Sequence, residues 1–282
     1  MLSGIIIKGI GGFYYVKTED GQIVECRAKG AFRKEKIKPM VGDYVKIENG
    51  SVVSINPRTS ELIRPPVSNI DMLMLVVAAT SPEPNLFLID KLLVYAESLG
   101  IDVSVCINKT DLKEDVKLRE IYENAGYRVI MVSAGEEKNI DELKSALKGR
   151  ITAFAGLSGV GKSSLLNLLT KQEMQTGDLS EKINRGKHTT RHVELLELSD
   201  GGYVFDTPGF SSFEVLDFSV GELSGFFREF PADGCRFKGC AHISEPDCRV
   251  REKLEAGEIA PSRYESYVKL YEILKNKKEW EK

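Results

Sequence analysis

The octapeptide Gly156-Leu157-Ser158-Gly159-Val160-Gly161-Lys162-Ser163 constrains this 282-residue chain more than any other stretch. It has the spacing G-x-x-x-x-G-K-[ST]. It follows an apolar run at 151–155 and precedes helical spacing at 163–170, the context such a motif requires. The glycines let the backbone curl so that its N–H groups converge on phosphate oxygens, and the following helix N-terminus adds partial positive charge. Lys162 is expected to reach the outer phosphates and Ser163 to ligate Mg²⁺, with Ser164 beside it. A plain glycine-rich strand–helix turn is the bland alternative, and the complete motif with both flanks argues against it.

The surrounding chain supports that reading. Apolar runs at 72–79, 103–107, 128–132 and 151–155 alternate with helical spacing at 87–99, 117–125 and 140–147. Fully apolar strands alternating with helices predict a parallel α/β sheet covered on both faces. Asn108-Lys109-Thr110-Asp111 follows one such strand. A carboxylate there can accept from guanine N1–H and N2–H₂ together, a donor pair adenine lacks, so Asp111 selects GTP over ATP. Ser133-Ala134, after the next strand, can place the Ala134 N–H at guanine O6. Asp206-Thr207-Pro208-Gly209 adds a Mg²⁺ carboxylate at Asp206 and an N–H for the γ-phosphate at Gly209.

The order of these pieces is unusual. The base motif at 108 precedes the phosphate loop at 156, with the Thr-Thr segment at 189 and D-T-P-G at 206 after it. Ordinary GTPases run from phosphate loop to switches to base motif, so this chain reads as a circular permutation. Its second switch then runs directly into the C-terminal region. In Gly186-Lys187-His188-Thr189-Thr190-Arg191-His192, Thr190 is the favoured Mg²⁺ and nucleotide ligand, with Thr189 the alternative. Phe210 stands where many GTPases have a water-orienting Gln, so intrinsic hydrolysis is expected to be slow. Two of the three histidines, His188 and His192, sit in this loop; either can orient a water, or both are solvated loop residues.

The flanks differ from the centre. Residues 1–66 carry net charge +4, residues 67–216 carry −6 and residues 217–282 carry −1. Short β-branched runs at 4–8, 13–17, 23–27, 44–48 and 51–55, separated by Gly11-Gly12, Asp20-Gly21 and Asn49-Gly50, predict a five-stranded barrel of the OB type. Lys29, Arg33, Lys34, Lys36 and Lys38, with Phe32 among them, interrupt the strands with a basic stretch suited to a polyanion. Arg64-Pro65-Pro66 reads as a stiff linker. Past Phe218, Cys235, Cys240, His242 and Cys248 supply a Cys₃His set, a closed structural Zn²⁺ site, before helical spacing from 249 to 280. Cys26 and Cys106 read as buried small hydrophobes. The longest uncharged apolar run is eight residues, too short to span a bilayer, and the first eight residues lack the layout of an export signal.

The expected organisation is a multidomain α/β chain: an OB-type barrel at 1–64, a circularly permuted P-loop GTPase domain at 67–216, and a helical zinc-binding domain at 217–282. With N-K-T-D at 108–111, G-L-S-G-V-G-K-S-S at 156–164, G-K-H-T-T-R-H at 186–192, D-T-P-G-F at 206–210 and the Cys₃His set, it resembles the RsgA family of small-subunit-dependent, circularly permuted GTPases. That resemblance implies a cytoplasmic factor for late maturation of the small ribosomal subunit, and it makes the barrel an RNA-binding domain that touches rRNA. It implies GTP hydrolysis stimulated by the subunit, followed by release. It also implies a catalytic His immediately before the Thr-Thr pair, His188 here. One Zn²⁺, Mg²⁺ with GTP, a monomeric state and no membrane partner complete the expectation. Two other readings stand beside it: an RNA-binding assembly module that uses GTP only as a switch, and a P-loop enzyme acting on a small molecule.

Overall fold

A computed structural model describes residues 1–30, 32, 37–62, 65–170, 193–206 and 218–280. The chain divides into two compact units. One holds Met1–Leu73, Asp141–Phe154 and Lys162–Phe210; the other holds Met74–Ile140, Ala155–Gly161 and Ser211–Lys282. Among the described residues no helix is long and apolar enough to cross a membrane.

The first unit begins with β1 (Leu2–Ile10), β2 (Phe13–Thr18), β3 (Ile23–Ala28), β4 (Tyr44–Glu48) and β5 (Ser51–Ile55). β1 pairs antiparallel with β2 and with β4, β2 with β3, and β4 with β5, while β3 runs parallel to β5. The β1–β4 pairing closes the ring, giving the five-stranded barrel that the sequence predicts. The period-2 pattern of β4, with Val45 and Ile47 in and Tyr44, Lys46 and Glu48 out, is what a barrel wall requires. Ile6, Val16 and Val52 are completely buried inside it, and Cys26 is buried as expected.

Beyond the barrel come β6 (Glu61–Leu62), β7 (Val67–Ser68), β8 (Met72–Ala78), α1 (Leu86–Ser98), β9 (Asp102–Asn108), α2 (Val116–Asn124), β10 (Arg128–Met131), α3 (Ile140–Leu147), β11 (Ile151–Ala155), α4 (Lys162–Leu169), β12 (Glu194–Glu197) and β13 (Tyr203–Asp206). β6 and β7 pair antiparallel, Glu61 with Ser68 and Leu62 with Val67, and Pro65 and Pro66 lie in a turn just before β7, while Arg64 of the expected stiff linker lies outside the described residues. In the first unit β11 runs parallel to β13, β12 is antiparallel to β13, and β12 also pairs with β1. In the second unit β9 and β10 are parallel. All seven residues of β8 and all five of β11 are buried, the signature of strands covered on both faces. Asn85 and Asp115 cap α1 and α2 by accepting from the N–H three residues on.

The second unit ends in a 3-10 helix (Val220–Phe226), α5 (Arg249–Glu255) and α6 (Pro261–Trp280). The helical spacing expected from 249 to 280 is present as two helices. Gly257, with φ +75°, ends the first, and Pro261 occupies the first position of the second, where its missing N–H costs nothing. Tyr267 and Leu270 of α6 share a buried cluster with Phe227, Phe230, Val250 and Ile259, and the Tyr267 ring lies 5.3 Å from that of Phe227 and 4.9 Å from that of Phe230.

Candidate nucleotide-binding site and metal centre

Four segments of the second unit meet at Asn108, the last residue of β9. Its side chain is buried; Nδ2 donates to the Val160 carbonyl at 2.9 Å and Oδ1 accepts from the Ala134 N–H at 3.0 Å. Its own carbonyl accepts from Ala79 N–H at 2.9 Å. One amide, with its donor facing a carbonyl and its acceptor facing an N–H, thus ties the glycine-rich loop to the Ser133-Ala134 loop. The glycines make the approach possible. A Cβ on Gly161, at φ +95°, would lie 2.2 Å from Asn108 Nδ2, and one on Gly156, at φ +140°, would lie 2.1 Å from Val76 O. Glycine meets neither the positive-φ strain nor these contacts, of which the one with the Val76 backbone is the harder to relieve.

Asp111 is exposed beside this junction. Ser133 Oγ donates to Asp111 Oδ1 at 2.5 Å and itself accepts from Glu136 N–H at 3.0 Å, so the carboxylate is held by a buried serine. Thr110 anchors its loop by donating from N–H and Oγ1 to Val132 O, at 3.2 and 3.0 Å. Lys109 takes a left-handed φ of +64° and its ammonium donates to Ser81 O. The holding residues Asn108, Ser133 and Val160 are buried, as is Gly156; Leu157 is half-buried, and Asp111, Gly135, Ser158 and Gly159 are exposed. Past Gly161 the chain enters α4 through Lys162, Ser163 and Ser164, both serines exposed. Burial pushes the Lys162 ammonium down to about 8. A glycine-rich loop leading directly in sequence into a helix N-terminus favours an anion.

Asp206 ends β13 in register with Glu194 of β12. His188, Thr189, Thr190, His192, Thr207, Pro208, Gly209 and Phe210 lie outside the described residues, as do Arg33, Lys34, Lys36 and Arg64.

Cys235, Cys240, His242 and Cys248 come together, with one ligand atom from each lying within 4.8 Å of the others. His242 Nδ1 is 3.6 Å from Cys235 Sγ and 3.4 Å from Cys248 Sγ, so Nδ1 is the nitrogen that faces the thiols. His242 N–H donates to Cys240 Sγ and Arg249 N–H to Cys235 Sγ, both at 3.4 Å, contacts that favour thiolates. Burial raises the Cys240 thiol to about 12 and lowers His242, and a bound cation would favour the Cys240 thiolate and the neutral imidazole. Three sulfurs and one imidazole nitrogen at this spacing can hold a metal ion. Cys106, by contrast, is buried in β9 with its thiol pushed up to about 12.

Several supporting residues escape sequence reasoning. Glu245 accepts from the N–H groups of Ala241, Ile243 and Ser244; these bonds outweigh its partial burial and hold its carboxyl below the usual range. Tyr264 and Tyr267 donate at 2.7 Å to the carbonyls of His242 and Ala241. Arg263, fully buried in α6, pairs with Asp90 of α1 and Glu229, each at 2.7 Å. The only sequence signal for the tyrosines is their helical spacing after the cysteines.

Known proteins resemble this chain throughout its length. The family model described as RsgA GTPase matches residues 55–216, and that described as RsgA N-terminal domain matches residues 3–52. A Ruminiclostridium cellulolyticum protein named "Small ribosomal subunit biogenesis GTPase RsgA" is 50% identical, the alignment covering 98% of this chain and 95% of the relative. A Geobacillus kaustophilus protein of the same name is 46% identical, with 99% of each covered. The crystal structure of YjeQ from Thermotoga maritima superposes with a TM-score of 0.82 at 38% identity, covering 97% of this chain and 98% of that one. The structure of YloQ, described as a circularly permuted GTPase, gives 0.81 at 39% identity, covering 98% and 96%.

Proposed function

We propose that this chain, which belongs to the RsgA GTPase family, binds the small ribosomal subunit, assists its late maturation, hydrolyses GTP to GDP and phosphate when the subunit stimulates it, and then dissociates. The observation that carries the reading is the double hydrogen bond of Asn108, which locks a base-selecting loop and a phosphate loop together. That coupling is what a guanine nucleotide, contacted at both ends, needs.

In this reading Asn108, Lys109, Thr110 and Asp111, with Ser133 and Ala134, select guanine. Residues 156–164 wrap the phosphates through backbone N–H groups, Lys162 adds a charge, and Thr190 and Gly209 complete the γ-phosphate end. Ser163, Thr190 and Asp206 would hold Mg²⁺, which when bound with GTP neutralises charge developing on the phosphates. His188 orients the attacking water, with His192 the alternative, and the Phe210 side chain cannot take that part. The Cys₃His donor set suits one structural Zn²⁺, held by Cys235, Cys240, His242 and Cys248 and closed to chemistry by its fourth protein ligand. The barrel at 1–64 meets rRNA through its basic surface, the centre at 67–216 hydrolyses GTP, and 217–282 forms the zinc domain of a cytoplasmic monomer.

The test is GTP turnover by the pure protein, alone and with purified small ribosomal subunits, with ATP as control. Strong stimulation with no ATP turnover is expected. Equal turnover with and without subunits would overturn the reading in favour of a binding switch.

A further inference from the structure

The barrel is stitched to the strand that follows the Thr-Thr segment. Within the first unit, Lys8 of β1 stands in register with Glu194 of β12, and on its other edge Glu194 stands in register with Asp206 of β13. A barrel residue, the residue two positions after His192, and the carboxylate expected at Mg²⁺ thus occupy one row across three adjacent strands.

Side chains brace that row. Lys8 Nζ lies 2.8 Å from Glu194 Oε2, with each side chain only about a third exposed. A second pair lies at the far end of β12, where Lys17 Nζ is 2.6 Å from Glu197 Oε2. The same ammonium is 5.8 Å from the centroid of the Tyr203 ring, and Tyr203 is the register partner of Glu197. Both lysines come from the barrel and both glutamates from a four-residue strand. All four residues of that strand also pair with β13, and Leu195 and Leu196 are buried, so β12 joins the barrel to β13. A shift of the barrel reaches β12 through the one Lys8–Glu194 register pair and the two ion pairs, and passes on to β13 through the four-residue ladder.

We propose that this β1–β12 junction is the coupling element through which RNA held by the barrel sets the rate of GTP hydrolysis, with Glu194 and Glu197 as positioning residues. The proposal rests on the reading of the chain as a subunit-stimulated GTPase. A partner can alter hydrolysis only by favouring one arrangement of a shared element, and the junction is where the barrel and β12 share contacts.

The test uses the full chain and a charge swap. Lys8→Glu, Glu194→Lys and the double variant are compared for turnover without subunits, turnover at saturating subunits, and co-sedimentation with subunits. Each single reversal is expected to lower stimulated turnover roughly threefold to tenfold, the size single substitutions give in coupled elements. Free turnover and co-sedimentation should stay within about twofold. The double swap should restore stimulation, which a lysine touching RNA directly would not allow. Failure of the swap to restore it, or no loss in Glu194→Lys, overturns the proposal. Where a reversal unfolds the chain, Glu194→Gln carries the test, and unchanged stimulation in that variant also overturns it. Absent stimulation of the unaltered protein would instead defeat the underlying function, so the two failures are distinguishable.

Discussion

Asn108 Nδ2 lies 2.9 Å from the carbonyl oxygen of Val160, fifty-two residues further along the chain. That bond, with the one from Ala134 N–H, makes Asn108 the buried knot of the candidate nucleotide site. Asn108→Ala would leave the buried Val160 carbonyl and the part-buried Ala134 N–H without this partner. It should cost about 2–4 kcal/mol in urea unfolding and weaken GDP binding at least about tenfold. Asn108→Asp should be as damaging, because a carboxylate facing Val160 O sets acceptor against acceptor. Wild-type affinity in either variant would count against the knot.

Gly156 and Gly161 should fail differently when changed to alanine. The Gly156 Cβ would meet the Val76 carbonyl, which β8 holds in place, whereas the Gly161 Cβ would meet the far end of the Asn108 side chain. Both pay for a positive φ, about 1 kcal/mol or more. Gly156→Ala should therefore lose the more stability, about 3 kcal/mol, measured by thermal unfolding. Gly161→Ala should fold but lose nucleotide, because Asn108 must turn away.

The contrast between these local features and the distant ones explains what the sequence could and could not reveal. Strand–helix alternation, the phosphate loop and the cysteine spacing are written in neighbouring residues, so periodicity and turn chemistry expose them. The barrel strands at 44–48 and 51–55 are legible for the same reason. Pairings between remote segments are not. Lys8 with Glu194 spans 186 positions and Arg263 with Asp90 spans 173. Nothing local in either sequence window announces its partner. The break between α5 and α6 was hidden because apolar spacing continues across it. Gly257 and Pro261 were the available signal.

Removing metal from the Cys₃His set should loosen only its own surroundings. Mercurial titration with a zinc-sensitive dye should release one ion per chain. Cys240→Ser should lower the unfolding temperature by several degrees, as loss of a structural ligand does. Hydrogen exchange should rise at 235–248 and in α6, where Tyr264 and Tyr267 donate to that loop. Protection at Asn108 and Ala134 should be unchanged. Exchange that rises equally in β9 would show that the metal supports the whole second unit.

Lys162 gives a pH prediction whose sign follows from its lowered pKa of about 8 against an ordinary 10.5. Below pH 8 the free protein already carries the charged form, so affinity for a GTP analogue should be flat. Phosphate oxygens favour that charged form and raise its pKa on binding. Between about pH 8 and the bound-state value, binding must take up a proton, and affinity should fall by up to about tenfold per pH unit. Stability of the nucleotide-free protein runs the other way. The unfolded lysine holds its proton up to about 10.5, so unfolding free energy should rise with pH from about 8 to 10.5. Fluorescence titrations of a non-hydrolysable analogue from pH 7 to 9 read the first effect. Lys162→Arg keeps its charge throughout this range and should flatten the slope, even where its affinity is lower. A slope that survives in Lys162→Arg would assign the titration to another group.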